Sequence, residues 1–229
     1  MMQSTNDNPS TNMKTRHPKT LRELIILGTG VHAAEMAEMV QRINAVRPTW
    51  NFLGHIQAQD FVPGETFNDQ PILGTFEAVG RYPAAGLVPD NGFPRALITV
   101  PRERLTSLVD PTAVVSPSAT IGAGCVIYPH CFVGYKAKIG DFSFILSGAI
   151  INHDDVLEER VIVASGVALA GYVHIEAGCY LGQACTIRQT LRIGAGSLVG
   201  MGAVVVKDVP PNSIMVGNPA RKLKDRETP

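Results

Sequence analysis

The pattern of hydrophobic positions is most regular in the second half of the chain, where an aliphatic residue recurs at every sixth position from Val109 to Val205. The series contains seventeen members without a break, and small residues are common four positions after each of them. Glycine often follows the aliphatic residue directly, where we expect it to permit a tight turn. Such a period predicts a triangular coil with the aliphatic residues inside and residues 18 positions apart stacked on one another. The pattern therefore predicts a left-handed parallel β-helix over residues 109–209, with a C-terminal extension over 210–229.

The residues before the repeat alternate short apolar runs with segments of helical periodicity. Alternation of this kind predicts a small α/β domain, Rossmann-like, with a parallel sheet over residues 21–108. The predicted strands are 24–27, 52–56, 71–74 and 96–100, and the predicted helices are 31–43, 75–80 and 101–108.

The composition of the chain argues against a nucleic-acid-binding protein and against a membrane protein. Lys and Arg total 20 and Asp and Glu total 20, so the net charge that a nucleic-acid-binding protein usually carries is missing. The sequence has no apolar stretch long enough for a membrane span. Residues 1–20 are polar and lack the apolar segment of a signal peptide, which predicts a disordered tail and a cytoplasmic protein. His17 lies in this tail.

The four cysteines all fall at the small position of the repeat and lack the C-x-x-C spacing of zinc sites. We therefore predict small buried residues at Cys125, Cys131, Cys179 and Cys185 rather than disulfides, nucleophiles or metal ligands.

Two sequence motifs carry a resemblance to a known family. The repeat is followed by VPPNSIMVGNPAR at 209–221, and the first predicted strand leads into ILGTGVHAAE at 26–35. Together they resemble the hexapeptide-repeat sugar O-/N-acetyltransferases, over about residues 22–224. This group includes the sialic acid O-acetyltransferase and the N-acetyltransferases acting on nucleotide-linked 4-amino-4,6-dideoxy sugars in bacillosamine and perosamine biosynthesis. The resemblance implies a homotrimer with active sites between neighbouring β-helices, acetyl-CoA in the groove between them and the nucleotide sugar on the α/β domain.

The resemblance also implies that His153 is the catalytic base, with Asp154 as its acidic partner. Acetyl transfer to an amine or a hydroxyl needs a base that titrates near neutral pH, and imidazole meets that need. An adjacent carboxylate fixes the tautomer of the ring and raises its basicity. The alternative interpretation is a polar turn at a corner of the coil, and His130 and His174 are interpreted as surface histidines of that kind.

The acetyl-CoA contacts of the family correspond to Gly171, Gln183 and Met201, and Lys222 is a candidate for the CoA phosphates. Gly171 follows His153 by 18 residues, so it should stack beside the imidazole and leave space for the thioester. Its N–H is a candidate donor to the oxyanion or to CoA. One further contact of the family, a second histidine, is replaced here by Ile162.

The segment from Gly28 to Ala33 has the form G-x-G-x-x-A between a strand and a helix, which alone is weak support for a dinucleotide site. The acidic residue expected after the second strand is replaced by Gln57, so NAD is not expected. The resemblance assigns Gly30, Val31, His32 and Gln57 to the nucleotide sugar. The alternative is that the glycines only permit a tight turn.

Three hypotheses follow from the sequence. The first is an acetyl-CoA-dependent N-acetyltransferase acting by direct transfer on a nucleotide-linked 4-amino-4,6-dideoxy sugar, without a metal. The second keeps the fold and changes the acceptor to a hydroxyl of sialic acid or of another sugar. The third is a non-enzymatic trimeric β-helix that serves as a binding module.

Overall fold

The computed structural model describes residues 21–227, so the predicted N-terminal tail and His17 lie outside the described residues. An α/β region comes first and a β-helix follows, and both fold classes are confirmed. The α/β region contains a five-stranded sheet in the order β3-β4-β2-β1-β5, in which only the β3–β4 pair is antiparallel. The elements are β1 Arg22–Leu27, α1 Val31–Val46, β2 Trp50–Ile56, β3 Thr66–Phe67, β4 Gln70–Gly74 and β5 Gly86–Pro89.

Burial explains why these segments form a layered α/β structure. The last four residues of β1 are fully buried because the strand is central in the sheet and covered on both faces. Helix α1 buries Ala33, Met36, Met39 and Val40, which lie three or four positions apart and form one apolar stripe. The sheet and this stripe share one hydrophobic core, and the carboxyl ends of the parallel strands form the edge where ligands usually bind.

Two predicted elements of this region are wrong. Residues 96–100 do not form a strand, because the place beside β1 is taken by β5, which the sequence analysis overlooked. Residues 101–108 form only one turn of 3-10 helix before the chain extends into the first strand of the β-helix. The predicted helix at 75–80 is a 3-10 helix. The three 3-10 helices are Phe76–Arg81, Arg95–Leu97 and Arg102–Arg104.

The β-helix has three faces, each built from parallel strands that repeat every 18 residues. The first face contains Leu108–Val109, Val126–Ile127, Phe144–Ile145, Ile162–Val163, Tyr180–Leu181, Leu198–Val199 and Ser213–Val216, to which Arg221–Asp225 adds an antiparallel strand. The second face contains Val114–Val115, Phe132–Val133, Ile150–Ile151, Ala168–Leu169, Thr186–Ile187 and Val204–Val205. The third face contains Thr120–Ile121, Lys138–Ile139, Val156–Leu157, His174–Ile175 and Arg192–Ile193.

The interior of the prism confirms the predicted pattern. From Ile127 to Val205 every aliphatic residue of the series is buried. All four cysteines are free and buried, and burial raises the pKa of Cys125 and Cys179 to about 11 and that of Cys185 to about 12. Since the thiolate is the reactive form, these thiols are unsuited to nucleophilic catalysis near neutral pH.

The glycines that directly follow aliphatic residues have a different role from the predicted one. The left-handed turn residue lies two positions later, where φ is between 55° and 72° at every sixth residue from Gly124 to Gly202. The glycines themselves allow adjacent coils to approach closely. A Cβ on Gly140 would lie 2.5 Å from the carbonyl carbon of Glu158, and one on Gly194 would lie 2.4 Å from the nitrogen of Pro211.

The α/β region packs on the first face of the β-helix through α1. Arg42 Nε donates to Asp110 Oδ2 over 2.7 Å, and the Asp110 side chain is fully buried. His32 packs edge-on against Phe144, which lies on the first face. Within residues 21–227 no helix has the length and apolar composition needed to cross a membrane.

Candidate active site

The turn that follows Ile151 holds His153 and Asp154 together on the surface of the β-helix. His153 Nδ1 lies 3.1 Å from Asp154 Oδ2, and half of the His153 side chain is exposed. Asp154 occupies the left-handed turn position, with φ of 59°, and its N–H donates to the carbonyl oxygen of Tyr135 one coil earlier. With Nδ1–H donated to the carboxylate, Nε2 keeps a lone pair that can accept a proton.

The imidazole packs against the next coil of the β-helix. A Cβ on Gly171 would lie 2.4 Å from His153 Cε1 and 2.6 Å from Nε2, so the ring itself fills the space above this glycine. The predicted stacking is thus seen, with the imidazole itself in the space that the missing side chain of Gly171 leaves, and the position of the thioester beside the ring stays a prediction. The ring of Tyr172 meets the imidazole edge-on, with centroids 5.1 Å apart. Within the described residues the Gly171 N–H has no acceptor.

Two polar residues of this turn were missed by the sequence analysis. Asp155 Oδ2 accepts the Asn152 N–H over 2.7 Å, and Asp155 Oδ1 accepts the Val173 N–H over 2.8 Å. Asn152 Nδ2 donates to the carbonyl oxygen of Leu169. The signal was present in the sequence, because Asp155 is a charged residue at a position of the repeat where all the other residues are uncharged.

The predicted acetyl-CoA contacts are not all brought together within one chain. Gln183 and Met201 are both exposed and lie on adjacent coils, at the same corner between the first and second faces. His153 and Gly171 lie at the next corner, between the second and third faces. Ile162 points outward from the first face and packs against the core. Lys222 lies on the antiparallel strand Arg221–Asp225, where its Nζ is 2.5 Å from Asp225 Oδ1.

A cavity lies at the carboxyl edge of the parallel sheet. It has a volume of about 260 Å³ and is lined by Gly28, Thr29, Gly30, Ala58, Asp90, Gly92, Phe93 and Pro94. Asp90, which the sequence analysis missed, is buried with Oδ1 accepting the N–H groups of Gly92 and Phe93. Burial raises the pKa of the Asp90 carboxyl, although these two N–H groups, Arg95 and His32 oppose the shift.

The predicted nucleotide-sugar residues lie at the start of α1 and at the end of β2. Gly30 lines the cavity and Val31 is exposed. His32 Nδ1 lies 3.1 Å from Glu35 Oε2, which also accepts the hydroxyl of Tyr128 over 3.0 Å, so the ring is held between α1 and the β-helix. Gln57 Nε2 donates to the carbonyl oxygen of Asp60.

His55 packs beneath the turn from Gly28 to Gly30, which connects β1 to α1. It is fully buried, its Nδ1 lies 3.0 Å from the carbonyl oxygen of Gly28, and its Nε2 has no partner within the described residues. The rings of Phe52 and Phe67 contact it edge-on. Burial lowers the pKa of this imidazole, so the folded protein holds it neutral.

A pH dependence of stability follows from His55. A histidine whose pKa is lowered in the folded state contributes stability above its unfolded pKa of 6.5, and that stability is lost as the pH falls below this value. We expect the melting temperature of the wild type to fall more between about pH 7 and about pH 5 than that of His55→Phe, measured by calorimetry. Equal slopes would show that His55 does not titrate differently in the two states.

Within residues 21–227 no cluster of three or more His, Cys, Asp or Glu side chains could hold a metal ion. The turn itself presents an imidazole–carboxylate pair, a tyrosine ring and a backbone N–H that has no acceptor within the described residues.

Comparison with known proteins places this arrangement in a family. The sequence profile described as the GMPPB C-terminal domain matches residues 105–219, which is half of the chain. The chain belongs to this family. An acyl-[acyl-carrier-protein]–UDP-N-acetylglucosamine O-acyltransferase of Pseudomonas paraeruginosa is 42% identical over 85 residues, which are 37% of this chain and 33% of the relative. The chain thus matches only one third of the length of this curated relative.

Several solved structures match nearly the whole chain, including the following two, which were solved with a coenzyme A ligand. The acetyltransferase domain of PglB from Neisseria gonorrhoeae, in complex with acetyl coenzyme A, has a TM-score of 0.77 and 27% identity, covering 89% of this chain and 100% of the domain. A mutant of GDP-perosamine N-acetyl transferase from Caulobacter crescentus, in complex with CoA and GDP-perosamine, has a TM-score of 0.77 and 26% identity, covering 90% and 99%. The resemblance to hexapeptide-repeat sugar acetyltransferases is confirmed.

Proposed function

We propose that the protein is an acetyl-CoA-dependent N-acetyltransferase acting on the amino group of a nucleotide-linked 4-amino-4,6-dideoxy sugar. The observation that carries the proposal is the His153–Asp154 pair, set on a β-helix of the same build as proteins solved with CoA and GDP-perosamine. In this proposal residues 21–108 bind the nucleotide sugar and residues 109–209 carry out the transfer. Because acetyl-CoA is the acetyl donor, we place the reaction in the cytoplasm.

The proposed mechanism is direct transfer with His153 as the general base. The sugar nitrogen attacks the thioester carbonyl, and His153 Nε2 takes the proton that this nitrogen loses. The C–N bond forms first and turns the carbonyl oxygen into an oxyanion. The C–S bond breaks as the carbonyl re-forms, and the proton passes from His153 to the sulfur of the departing CoA. Asp154 holds the tautomer and stabilises the imidazolium. The free N–H of Gly171 is the candidate donor to the oxyanion.

The sheet-edge cavity is the proposed site of the nucleotide. Gly30, Val31 and His32 lie at the start of α1, where a helix N-terminus favours a phosphate group. Asp90 brings a negative charge to the same cavity, which suits hydroxyl or N–H donors of the ribose or base better than phosphate oxygens. Gln57 offers an amide where an acidic residue was expected, so the proposed base contact does not depend on a carboxylate there.

The proposed acetyl-CoA site needs two subunits. Gln183 and Met201 lie at a different corner from His153, so one CoA molecule contacts both sets most simply if a neighbouring copy supplies the second set. The second face offers an exposed apolar surface beside His153, with Val114, Phe132 and Ile150 between 41% and 61% exposed. The third face carries Thr120, Lys138 and Arg192 outward instead. We therefore propose a homotrimer joined through the second face, with Lys222 near the CoA phosphates.

Phe132→Glu is expected to dissociate the proposed trimer, because it places a charge on the apolar second face, and to reduce acetyl transfer at least tenfold. Sedimentation velocity and a thiol-release assay measure the two effects. The matched control is Thr120→Glu on the polar third face, which should leave both unchanged. A monomeric wild type with full activity would contradict the shared site.

One finding favours a hydroxyl acceptor as the second candidate. The curated relative is named as an O-acyltransferase of UDP-N-acetylglucosamine, although the match covers only one third of that protein. The same base would then activate a hydroxyl of sialic acid or of another sugar.

The proposed function is tested by incubating the purified protein with acetyl-CoA and a panel of acceptors. The panel contains UDP-, GDP- and dTDP-linked 4-amino-4,6-dideoxy sugars, their 4-hydroxy counterparts, and sialic acid. We expect free thiol only with an amino sugar. Thiol release with a hydroxyl acceptor alone would favour the second candidate, and no release with any acceptor would favour a non-enzymatic binding module.

A further inference from the structure

One buried carboxylate supports the turn of the candidate base. The residue four positions after each aliphatic residue faces a crowded corner of the prism, and in this series only Asp155 is charged. The neighbouring units carry Ala137, Ser143 and Ala149 there. Asp155 is fully buried. Since burial of a carboxylate is costly, its presence in this one unit requires an explanation other than packing.

Asp155 is hydrogen-bonded both to the turn that carries the imidazole and to the segment that packs against it. Oδ2 accepts the N–H of Asn152, which closes the turn that carries His153. Oδ1 accepts the N–H of Val173, which directly follows the Gly171–Tyr172 pair that packs against the ring. The Asp155 side chain therefore fixes the distance between the imidazole and the Gly171–Tyr172 pair that packs against it.

The serines at equivalent positions make a different set of bonds. Ser143 Oγ accepts the N–H of Val161 and donates to the carbonyl oxygen of Glu158, both in the next coil. It makes no bond to its own turn within the described residues. Ser143 and Asp155 thus both bond to the next coil, whereas only Asp155 of the two also bonds to its own turn, which is the turn that holds His153.

We infer that Asp155 is a positioning residue that holds His153 against Gly171 and thereby keeps the base in its working orientation. The inference rests on the proposed function. Burial raises the pKa of the Asp155 carboxyl to about 7, which agrees with a side chain whose charge is costly at this place. An alanine suits the same corner elsewhere in the repeat, so the fold does not depend on the carboxylate.

Asp155→Ala tests the inference because it separates an effect on the orientation of His153 from an effect on the stability of the fold. We expect kcat to fall at least tenfold, KM for acetyl-CoA to change less than about twofold, and the melting temperature to stay equal or rise. Asp155→Asn keeps one acceptor oxygen, so its kcat should lie between those of Asp155→Ala and the wild type. Ser143→Ala is the matched control and should leave kcat unchanged. A wild-type kcat in Asp155→Ala would overturn the inference.

A double variant and a spectrum separate this inference from the proposed function. In a His153→Ala background, Asp155→Ala should not lower the residual rate further, whereas a merely structural role would lower both rates. The ¹⁵N signals of the His153 ring should change in Asp155→Ala and not in Ser143→Ala. The spectrum decides the inference even if no acceptor releases thiol, a result that would contradict only the proposed function.

Discussion

His153→Ala is expected to lower kcat for acetyl transfer by ~10²–10⁴-fold, because it removes the base that accepts the proton from the attacking nitrogen. The side chain is half exposed and contacts Asp154 of its own turn and the surface of the neighbouring coil, so the melting temperature should change little. Binding of acetyl-CoA, measured by calorimetry, should be retained because the proposed cofactor contacts lie on other residues.

His130→Ala is the matched control for this prediction. His130 is exposed and occupies a turn of the same kind, with φ of 60°, but it lies at the corner between the first and second faces. Its replacement should leave kcat unchanged. A His153→Ala variant that retains the wild-type rate would remove His153 as the base and leave the polar-turn interpretation.

Gly171→Ala is expected to lower kcat about 100-fold without unfolding the protein, since a methyl group would occupy the place of the imidazole. The added Cβ would lie 2.4 Å from His153 Cε1, closer than any tolerable contact, so the ring must move. The repeat itself does not demand glycine here, because Tyr135 and Gln189 occupy the same position two coils earlier and one coil later. Steady-state kinetics and thermal unfolding measure the two effects.

Gly80→Ala provides the control for Gly171→Ala, because a Cβ on Gly80 would meet nothing within 4 Å. It should have the wild-type rate. If Gly171→Ala were as active as the wild type, the imidazole would not need its observed position for catalysis. If the variant lost activity even in a His153→Ala background, Gly171 would act through the oxyanion or CoA rather than through the ring.

The six-residue period predicted most of the β-helix because one physical requirement repeats in every unit. An inward aliphatic residue and a small corner residue are needed in each side of the prism, so Ile127 and Cys125 are explained by the same rule. The role of the glycines that directly follow aliphatic residues was misinterpreted. A glycine in the sequence shows that no side chain is accommodated there, but it does not show which neighbouring group prevents it. At Gly140 the cause is the backbone of the next coil rather than the turn.

The candidate site was only partly predictable. The spacing of 18 residues placed Gly171 beside His153, but it could not show that the imidazole occupies the space between them. The same arithmetic separates Gln183 from His153, since their positions differ by thirty residues and so fall at different corners. The sequence shows that Asp155 is an exceptional charge at its position of the repeat, but it does not show which backbone groups the carboxylate bonds.

The irregular α/β region was harder to predict because it lacks a repeating constraint. The segment 96–100 is as apolar as a strand, yet β5 competes for the edge of β1 and takes it. Asp90 follows β5, so the error in the strand also hid the acidic residue of the cavity.

The most direct test of the central claim is the mass of the product formed from ¹³C-labelled acetyl-CoA and a nucleotide-linked 4-amino-4,6-dideoxy sugar, before and after mild base. We expect one labelled acetyl group on the sugar that survives base, as an amide does, and that forms ~10²–10⁴-fold more slowly with His153→Ala than with the wild type. A label that base removes would show an ester and a hydroxyl acceptor. Absence of label from every amino sugar would contradict the proposed N-acetyltransferase function.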